Sequence, residues 1–400
     1  MENNLKLNEE YIVKIINTDN KGNGIARIND FVIFIKGVFI NEEVKIKITR
    51  IEKRYAIGEL INVILKDKNR KEIICPKFYE CGGCNFLHLE IEKELICKKE
   101  LLNNLFPNET KEEIINVNEY HYRNKVTFHV RDNKLGYFKE KSNELVEIKE
   151  CFLLDKDITK LVNFIKSFDL SNITEVMIRK VFNDNELMVK FNGKLNDKDL
   201  ISLLSYKNLG SVYENDTFVY GKEYLKEIIN NKIYTIYPKS FFQVNTTAME
   251  KLYQTIKDNI KEEGTLLDLY SGTGTIALYL SDKFDSVLGI EIIKDAIKNA
   301  NLNKKLNKIE NVSFMHLDSS KIKDKKADVI IVDPPRAGLS KIVVNNIIKM
   351  RPKELIYVSC NPLTLKRDLD LLKKDFAINK MIPINMFPKT EHIECVVLLN

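Results

Sequence analysis

The segment TLLDLYSGTG, residues 265–274, decides the fold of this 400-residue chain. Its first half is a short apolar run that contains Asp268, and its second half is a turn with Gly272 and Gly274. Glycines at such positions allow a tight turn and a close backbone approach to a ligand at the start of a helix. The segment therefore predicts a buried strand, a ligand-binding turn and a helix, in that order.

Four further apolar runs follow this segment, and each ends in small or polar residues. They are SVLGIEI (286–292), VSFMHLD (312–318), ADVIIVDPP (327–335) and ELIYVSCNP (354–362). Helix-like stretches separate the runs, and this alternation indicates a parallel sheet that is covered on both faces. Ligands bind to such sheets beyond the carboxyl ends of the strands. We therefore predict an α/β fold with a Rossmann-like sheet over residues 236–400.

Acidic residues at these strand ends suggest a nucleoside ligand. Glu291 can accept hydrogen bonds from ribose hydroxyls, and Asp318 is placed to meet an adenine amino group. The pattern GxGxxA over residues 272–277 leaves a nicotinamide dinucleotide open as the ligand. The motif Asp333-Pro334-Pro335-Arg336 favours S-adenosylmethionine instead, because the two prolines force a rigid, extended exit from the strand.

Two residues near the last strands suggest nucleophilic chemistry. Cys360 comes directly after an apolar strand and can act as a nucleophile if its thiolate is stabilised, although small buried cysteines are common in protein cores. Glu394 stands at the start of the last apolar run, where a carboxylate close to a cysteine could serve as a general base.

The first part of the chain has a different pattern. Residues 11 to about 65 contain short β-rich runs separated by turn signals, which suggests a small closed barrel of which the oligonucleotide-binding kind is one option. A mixed α+β region follows. We predict three domains, over residues 1–62, 63–235 and 236–400.

The mixed region opens with a cysteine cluster. Cys75, Cys81 and Cys84 lie within ten residues, and Cys151 follows after a gap of 66 residues. Three clustered thiols with a distant fourth are typical of iron–sulfur ligation, whereas structural zinc more often uses paired CxxC units, so the spacing leaves both open. Cys97 falls outside the pattern and remains unassigned. An odd total of seven cysteines argues against a disulfide framework.

Composition narrows the class of protein. Apolar residues make up 44% and charged residues 30%, which excludes a disordered chain. No apolar run approaches the roughly 18 residues that span a bilayer, and the polar, acidic N-terminal stretch is not a signal peptide, so we expect a cytoplasmic protein without a membrane partner. The formal charge of +6 is compatible with a nucleic-acid partner without requiring one.

Together these motifs resemble those of the RNA uracil-C5 methyltransferases, over essentially the whole chain. The matching pieces are FFQVN (241–245), DLYSGTG (268–274), Glu291, Asp318, DPPR (333–336), SCNP (359–362) and HIECVVLL (392–399). The resemblance implies a TRAM domain, a small RNA-binding barrel, in residues 1–62 and a [4Fe–4S] cluster on the four cysteines. Bacterial tRNA members of the family lack both features, so the match is closest to the 23S ribosomal RNA branch.

The resemblance also implies roles for individual residues. Cys360 would be the nucleophile and Glu394 the base, while Asp333 and Gln243 would orient the uracil and stabilise its enolate. We expect RNA contact at His121-Tyr122-Arg123-Asn124-Lys125. The expected cofactor, S-adenosylmethionine, would be bound by Gln243, Asp268, Tyr270, Gly272, Gly274, Glu291, Asp318 and Asp333.

The predicted function is methylation of C5 of a specific uridine in 23S rRNA through a covalent cysteine–C6 adduct. We expect a monomer that needs no protein partner. Three alternatives remain: a tRNA uracil-C5 methyltransferase, a non-catalytic RNA-binding iron–sulfur protein, and a nicotinamide-dependent dehydrogenase that only the glycine turn suggests.

Overall fold

The computed structural model describes residues 5–139, 142–323 and 325–400. The chain divides into two compact units. The first unit comprises Met1–Asn104, Tyr137–Glu150 and Phe387–Glu391, and the second comprises Leu105–Gly136, Cys151–Met386 and His392–Asn400. The predicted boundaries at residues 62/63 and 235/236 remain predictions.

The first unit is built on a six-stranded sheet around one apolar core. Its strands are β1 (Glu10–Lys14), β2 (Asn17–Thr18), β3 (Gly24–Ile28), β4 (Phe31–Ile35), β5 (Glu43–Ile51) and β6 (Tyr55–Leu65), in the order β1-β5-β6-β4-β3-β2. Alternate residues such as Ile33, Ile35 and Ile46 are completely buried, as expected for strands with one face on a core. Gly58 lies where an added Cβ would come within 2.9 Å of Ile46 Cδ1, so a larger residue there would force core side chains to shift.

An irregular segment, residues 66–90, follows β6 and carries Cys75, Cys81 and Cys84. It leads into helix α1 (Ile91–Leu105), on which Glu94 and Lys98 are buried as an ion pair of 2.8 Å. The predicted cysteine cluster therefore lies on a loop rather than on a helix or strand.

A second sheet forms the middle of the chain. The elements here are β7 (Lys125–Arg131), β8 (Lys134–Phe138), β9 (Leu145–Glu147, in the first unit), α2 (Lys156–Ile165), β10 (Ile173–Lys180), β11 (Leu187–Gly193), α3 (Asp197–Leu204), β12 (Leu209–Glu214) and β13 (Thr217–Gly221). Within the second unit the strand order is β13-β12-β11-β10-β7-β8. One face is apolar, with Phe128, Ile178 and Val189 fully buried, and α2 packs against β10.

The last part of the second unit is the predicted α/β sheet. A hairpin of β14 (Leu225–Ile229) and β15 (Lys232–Ile236) precedes α4 (Thr246–Asn259), β16 (Thr265–Leu269), α5 (Thr275–Tyr279), β17 (Ser286–Glu291), α6 (Lys294–Leu306), β18 (Val312–His316), β19 (Val329–Val332), α7 (Lys341–Met350), β20 (Glu354–Ser359), α8 (Pro362–Leu372), β21 (Ile378–Ile384) and β22 (Glu394–Leu399). The sheet order is β18-β17-β16-β19-β20-β22-β21, and the first five strands are parallel.

The register of this sheet aligns its strand ends. Leu269 at the end of β16 is paired with Ile290 on one side and with Val332 on the other. The residues that follow the strands, among them Tyr270 and Asp333, therefore emerge at one edge. On the antiparallel side, Ser359 of β20 is paired with Cys395 of β22, which places Cys360 and Glu394 at that same edge. The predicted α/β architecture with an N-terminal β-domain is confirmed, and no helix within the described ranges is long and apolar enough to cross a membrane.

Candidate active site

The turn after β16 forms an open cradle. Tyr270, Gly272 and Gly274 all have positive φ, at 65°, 54° and 78°. A Cβ added at Gly274 would come within 2.5 Å of the Phe314 ring, whereas a Cβ at Gly272 would have no atom within 4 Å. Gly274 is therefore required by packing, and Gly272 faces open space, as a backbone that must approach a ligand does.

Glu291 is held beside this turn. One carboxylate oxygen accepts a hydrogen bond from the Gly272 N–H at 2.9 Å, and the other accepts from the Ile293 N–H at 2.8 Å. The Asp318 side chain accepts from the Ser320 N–H at 2.8 Å, and this bond lowers the pKa of the Asp318 carboxyl. Glu291 and Asp318, which are predicted to bind the ribose and the adenine, therefore both lie at strand ends. The Asp318 carboxyl is ionised at neutral pH.

Asp268 is completely buried, and neither carboxylate oxygen has a hydrogen-bond partner among the described residues. Burial, and then the charges of Asp333 and Glu291, raise the pKa of the Asp268 carboxyl well above its ordinary value. The Ala277 backbone N–H acts to lower this pKa but forms no hydrogen bond of normal geometry with the carboxylate. A buried carboxylate so poorly compensated, beside an open glycine cradle, fits a cationic ligand. S-adenosylmethionine, which carries both a sulfonium and an ammonium group, meets that requirement.

Asp333, Cys360 and Glu394 converge at the carboxyl edge of the sheet. Burial, and then the charges of Glu394 and Asp333, raise the pKa of the Cys360 thiol to about 11, while Arg336 opposes them. The pKa of Asp333 is raised to about 7 by burial. Glu394 is buried, and its pKa is raised by burial and then by Asp333. At neutral pH the Cys360 thiol therefore carries its proton, and the same burial disfavours ionisation of the Glu394 carboxyl.

Arg336 is a cation of the site to which the sequence analysis assigned no role. Its Nη2 lies 3.1 Å from His392 Nε2, and its carbonyl oxygen accepts from Asn361 Nδ2 and from Thr364 Oγ1, both at 3.1 Å. The loop after DPPR is thereby tied to the start of α8, next to Cys360. Its place in the DPPR motif was the only signal in the sequence.

Tyr253 was also missed. The Tyr253 hydroxyl donates to Thr275 Oγ1 at 2.8 Å. Burial raises the pKa of this hydroxyl, and so do the charges of Asp333, Asp268 and Glu394, so the ring lies among the acidic groups of the site. Tyr253 belongs to α4, where a single aromatic residue at helical spacing gives no functional signal.

The segment that carries Gln243 is anchored to the middle sheet. Asn124 donates its side-chain N–H to the Gln243 carbonyl at 3.2 Å and its backbone N–H to the Val244 carbonyl at 2.8 Å. The Gln243 side chain is half-buried, and its amide makes no hydrogen bond within the described residues. The structure therefore does not join Gln243 to Cys360 or Glu394 by a hydrogen bond, but leaves its amide available to a ligand.

The four cysteines predicted to bind a cluster lie in two different units of the chain. Cys75, Cys81 and Cys84 are half-buried in the first unit, and Cys151 begins a segment of the second unit. Burial raises the pKa of the Cys75 thiol. No group of three or more His, Cys, Asp or Glu side chains in the described part of the chain is arranged to hold a metal ion. The four thiols suit iron chemically, but their arrangement does not form a ligand set, so the cluster stays a prediction.

Comparison with known proteins supports the assignment of the two ends of the chain. The sequence profile of the TRAM domain matches residues 5–61, and the profile described as tRNA (uracil-5-)-methyltransferase matches residues 214–400. An uncharacterized RNA methyltransferase of Clostridium tetani is 33% identical over 99% of this chain and 97% of its own. A second one, of Clostridium acetobutylicum, is 32% identical over 99% and 98%.

A solved structure agrees over nearly the full length. The tRNA (uracil-54, C5)-methyltransferase of Pyrococcus abyssi, in complex with S-adenosyl-L-homocysteine, has a TM-score of 0.82 and 26% identity, and the match covers 97% of this chain and 99% of that one. Together with the glycine cradle, these matches define an RNA methyltransferase that uses S-adenosylmethionine. The chain belongs to the RNA uracil-C5 methyltransferase family, in the form that carries a TRAM domain.

The Pyrococcus abyssi match changes one argument. A tRNA enzyme shares almost the whole architecture of this chain. The N-terminal barrel therefore does not distinguish a ribosomal RNA substrate from tRNA.

Proposed function

We propose that this enzyme methylates C5 of a uridine in 23S rRNA through a covalent adduct between Cys360 and C6 of the uracil. The convergence of Cys360, Asp333 and Glu394 at the carboxyl edge of the sheet carries this proposal. A nucleophile and a base on one edge, beside the cofactor cradle, are what the reaction requires.

The chemistry follows from the electronic structure of uracil. C6 is electrophilic because the C5=C6 bond is conjugated with the C4 carbonyl. The Cys360 thiolate forms a bond to C6, the C5=C6 π bond breaks, and the electrons move to an enolate with carbanion character at C5. S-adenosylmethionine would supply the methyl group: the bond from C5 to the methyl carbon would form as the methyl–sulfur bond breaks, and S-adenosylhomocysteine would leave.

Restoring the uracil requires a base. Glu394 removes the proton from C5, the C5–H electrons re-form the C5=C6 bond, and the C6–S bond breaks to release the Cys360 thiolate. Asp333 and Gln243 hold the uracil edge and stabilise the enolate through hydrogen bonds.

Because their pKa values are raised, Cys360 and Glu394 must each lose a proton before they can act in the reaction. Cys360 must lose a proton before it attacks, and Glu394 must be ionised before it can accept one. Asp333, with a pKa of about 7, is the group best able to accept the thiol proton at neutral pH. Arg336 favours both anionic forms, and so does any cationic cofactor bound against Asp268.

The experiment that tests this proposal traps the adduct. Protein purified without oxygen is incubated with S-adenosylmethionine and transcripts of 23S rRNA fragments or of tRNA that contain 5-fluorouridine. Fluorine at C5 does not leave as a proton does, so the adduct should persist as a denaturant-stable protein–RNA band. We expect the band with an rRNA fragment and its loss in Cys360→Ala. A band with tRNA alone would assign the tRNA substrate, which the Pyrococcus abyssi match favours. No band with either RNA would contradict the covalent mechanism.

We also infer a [4Fe–4S] cluster on Cys75, Cys81, Cys84 and Cys151, which the spacing and the resemblance support. Lys36 donates to the carbonyls of Phe78 and Cys81, at 2.7 and 3.2 Å, so a cation stands beside this loop and can balance thiolate charge. Iron and acid-labile sulfide measured on anaerobically purified protein test the inference; about four of each per chain are expected. Zinc, or no metal, would refute it. We further propose that the enzyme is cytoplasmic and that it is a monomer. Its mass in solution tests the oligomeric state.

A further inference from the structure

The middle sheet carries uncompensated cations on the face opposite its apolar one. Lys125 of β7 and Arg179 of β10 are direct partners in the antiparallel ladder, so their side chains share one face. Arg179 is only 1% exposed. Its two terminal nitrogens donate to the carbonyls of Ser240 and Phe242, at 3.2 and 3.4 Å, and its Nε has no partner.

The next residue along β10 is a cation whose charge is balanced by carboxylates. Lys180 points to the other face, where its Nζ lies 3.0 Å from Asp155 and 2.7 Å from Asp157. Arg179 has no carboxylate partner within the described residues. Two adjacent cations of one strand thus have opposite environments.

The neighbouring groups do not supply the missing charge. Arg123 donates its Nε to the Lys125 carbonyl at 3.1 Å and has no carboxylate partner in the described ranges. Asp216 is already shared by Lys190 and Lys239, both at 2.8 Å. Arg123, Lys125 and Arg179 therefore form a cation row, and in the described part of the chain no acid neutralises it.

This arrangement is costly for the free protein. Burial lowers the pKa of Arg179 to about 10. Burial, and then the charges of Arg179 and Arg123, lower the pKa of Lys125 to about 8. Buried charges without partners destabilise a fold, so packing alone does not account for the cation row. A bound anion would remove the penalty.

The cation row adjoins the predicted reaction site. Arg179 holds the carbonyls of Ser240 and Phe242, and Asn124, between Arg123 and Lys125, holds the carbonyl of Gln243. The face is also open to solvent, because Thr127, two residues after Lys125 on the same side of β7, is exposed.

We propose that Arg123 and Lys125, with Arg179 behind them, bind a backbone phosphate of the RNA next to the target uridine. Phosphate contacts fix the register of a nucleic acid without reading its sequence. A uridine that leaves its stack needs its flanking backbone held, and an anion between these cations would do so. The inference rests on the proposed function in that it takes RNA as the substrate.

A salt titration tests the proposal. The probe is a fluorescein-labelled oligouridylate of 12 nucleotides, whose affinity is measured at several KCl concentrations for the wild type, Lys125→Met and Lys349→Met. Lys349 is an exposed lysine on α7 and serves as the matched control. We expect Lys125→Met to weaken binding about tenfold and to reduce the slope of log K against log[KCl] by about 0.7, the value for one phosphate of a single strand. Lys349→Met should change neither.

Thermal unfolding without RNA supplies a second readout. Lys125→Met should melt at a higher temperature than the wild type, because it removes a charge without a partner. A lysine with a structural role alone would give a less stable variant with an unchanged salt slope, and that result would overturn the proposal. If Lys125→Met does not fold, Arg123→Met takes its place under the same expectations for affinity and slope.

The two proposals fail separately. Wild-type protein that shows the Lys125-dependent slope but forms no adduct with 5-fluorouridine RNA retains the phosphate site and loses the covalent mechanism. Lys125→Met that binds and traps RNA as the wild type does retains the mechanism and loses the phosphate site.

Discussion

The carboxyl edge of the α/β sheet and the cysteine loop, residues 66–90, both present half-buried thiols to possible chemistry, but they are built differently. At the sheet edge, the pairing of Ser359 with Cys395 fixes where Cys360 and Glu394 stand. In the cysteine loop, Cys81 forms a single isolated bridge with Lys139, and Cys75 and Cys84 belong to no strand. Pairing with neighbouring strands fixes the position of a residue at a strand end. The side chains of a loop have no such pairing and need some other interaction to hold them in place.

The two regions differ in what holds their side chains in place. The sheet edge is ordered by the protein alone, because buried strands such as β19 leave no freedom of register. The cysteine loop would obtain its order from the group it binds, since metal binding and local folding are coupled. Removing one side chain from each region should therefore have different consequences.

Replacing Cys360, the proposed nucleophile, should give the largest effect. In Cys360→Ala, turnover should fall on the order of 10⁶-fold, as when a covalent nucleophile is removed elsewhere, because no thiolate remains to activate C5. Release of methyl-labelled RNA measures the rate, and calorimetric binding of S-adenosylmethionine should be unchanged. Measurable turnover in this variant would remove Cys360 from the mechanism.

Replacing the base should stop the reaction one step later. In Glu394→Gln, turnover should fall roughly 10²- to 10⁴-fold, the range for general acid–base catalysis. Because Cys360 remains, the methylated adduct should accumulate with ordinary, fluorine-free RNA and be visible as a denaturant-stable band. If turnover falls without such a band, Glu394 acts before or during thiolate attack instead.

Replacing a proposed cluster ligand should change the metal content of the protein. If the proposed cluster is present, Cys81→Ser should lose most of the iron and sulfide expected in the anaerobic wild type, as measured by metal analysis and by absorption in the visible range. The matched control is Cys97→Ser, because Cys97 is also half-buried but lies outside the spacing pattern. Equal iron loss in both variants would show that the assay reports general destabilisation.

The smallest effect concerns stability and pH at the sheet edge. Since Asp333 has a folded pKa of about 7 against an ordinary 3.8, the folded protein binds the proton more tightly. The free energy of unfolding should therefore fall as pH rises from about 4 to about 7 and then level off. Asp333→Asn should remove the share of this fall that Asp333 causes, while Asp268 and Glu394, whose pKa values are also raised, keep theirs. The melting temperature of the variant should therefore exceed that of the wild type at pH 8, by roughly 2–4 °C for each kcal/mol recovered. The two proteins should melt alike near pH 4, and a difference that persists there would point to packing instead.

Much of the α/β region could be predicted because its strands are short, apolar and buried on both faces. All five predicted runs are strands, and Glu291, Asp333 and Cys360 stand at strand ends because parallel register leaves no alternative. The motif FFQVN predicted a functional segment, but the sequence did not show which residues hold this segment in place. Asn124 and Arg179 reach it from more than 60 residues away along the chain.

Other parts of the site could not be predicted for physical reasons. The protonation of Cys360 and Glu394 depends on burial and on the charges of Asp333 and Arg336, and a local sequence pattern shows neither. Arg179 reads in the sequence as an ordinary charged residue of an alternating strand, and only the cross-strand pairing with Lys125 shows two cations together. The arrangement of the cysteine loop likewise has no periodicity from which to infer it.

The pairing of β22 has a consequence for how the enzyme folds. Among the strands of its sheet, β21 pairs only with β22, although β21 comes earlier in the chain. β22 must therefore insert between β20 and β21 before either the edge of the sheet or Glu394 is in place. An intermediate with β16 to β20 formed would already possess the glycine turn and Glu291, so it could capture the methyl donor while it still lacked the residue that completes turnover.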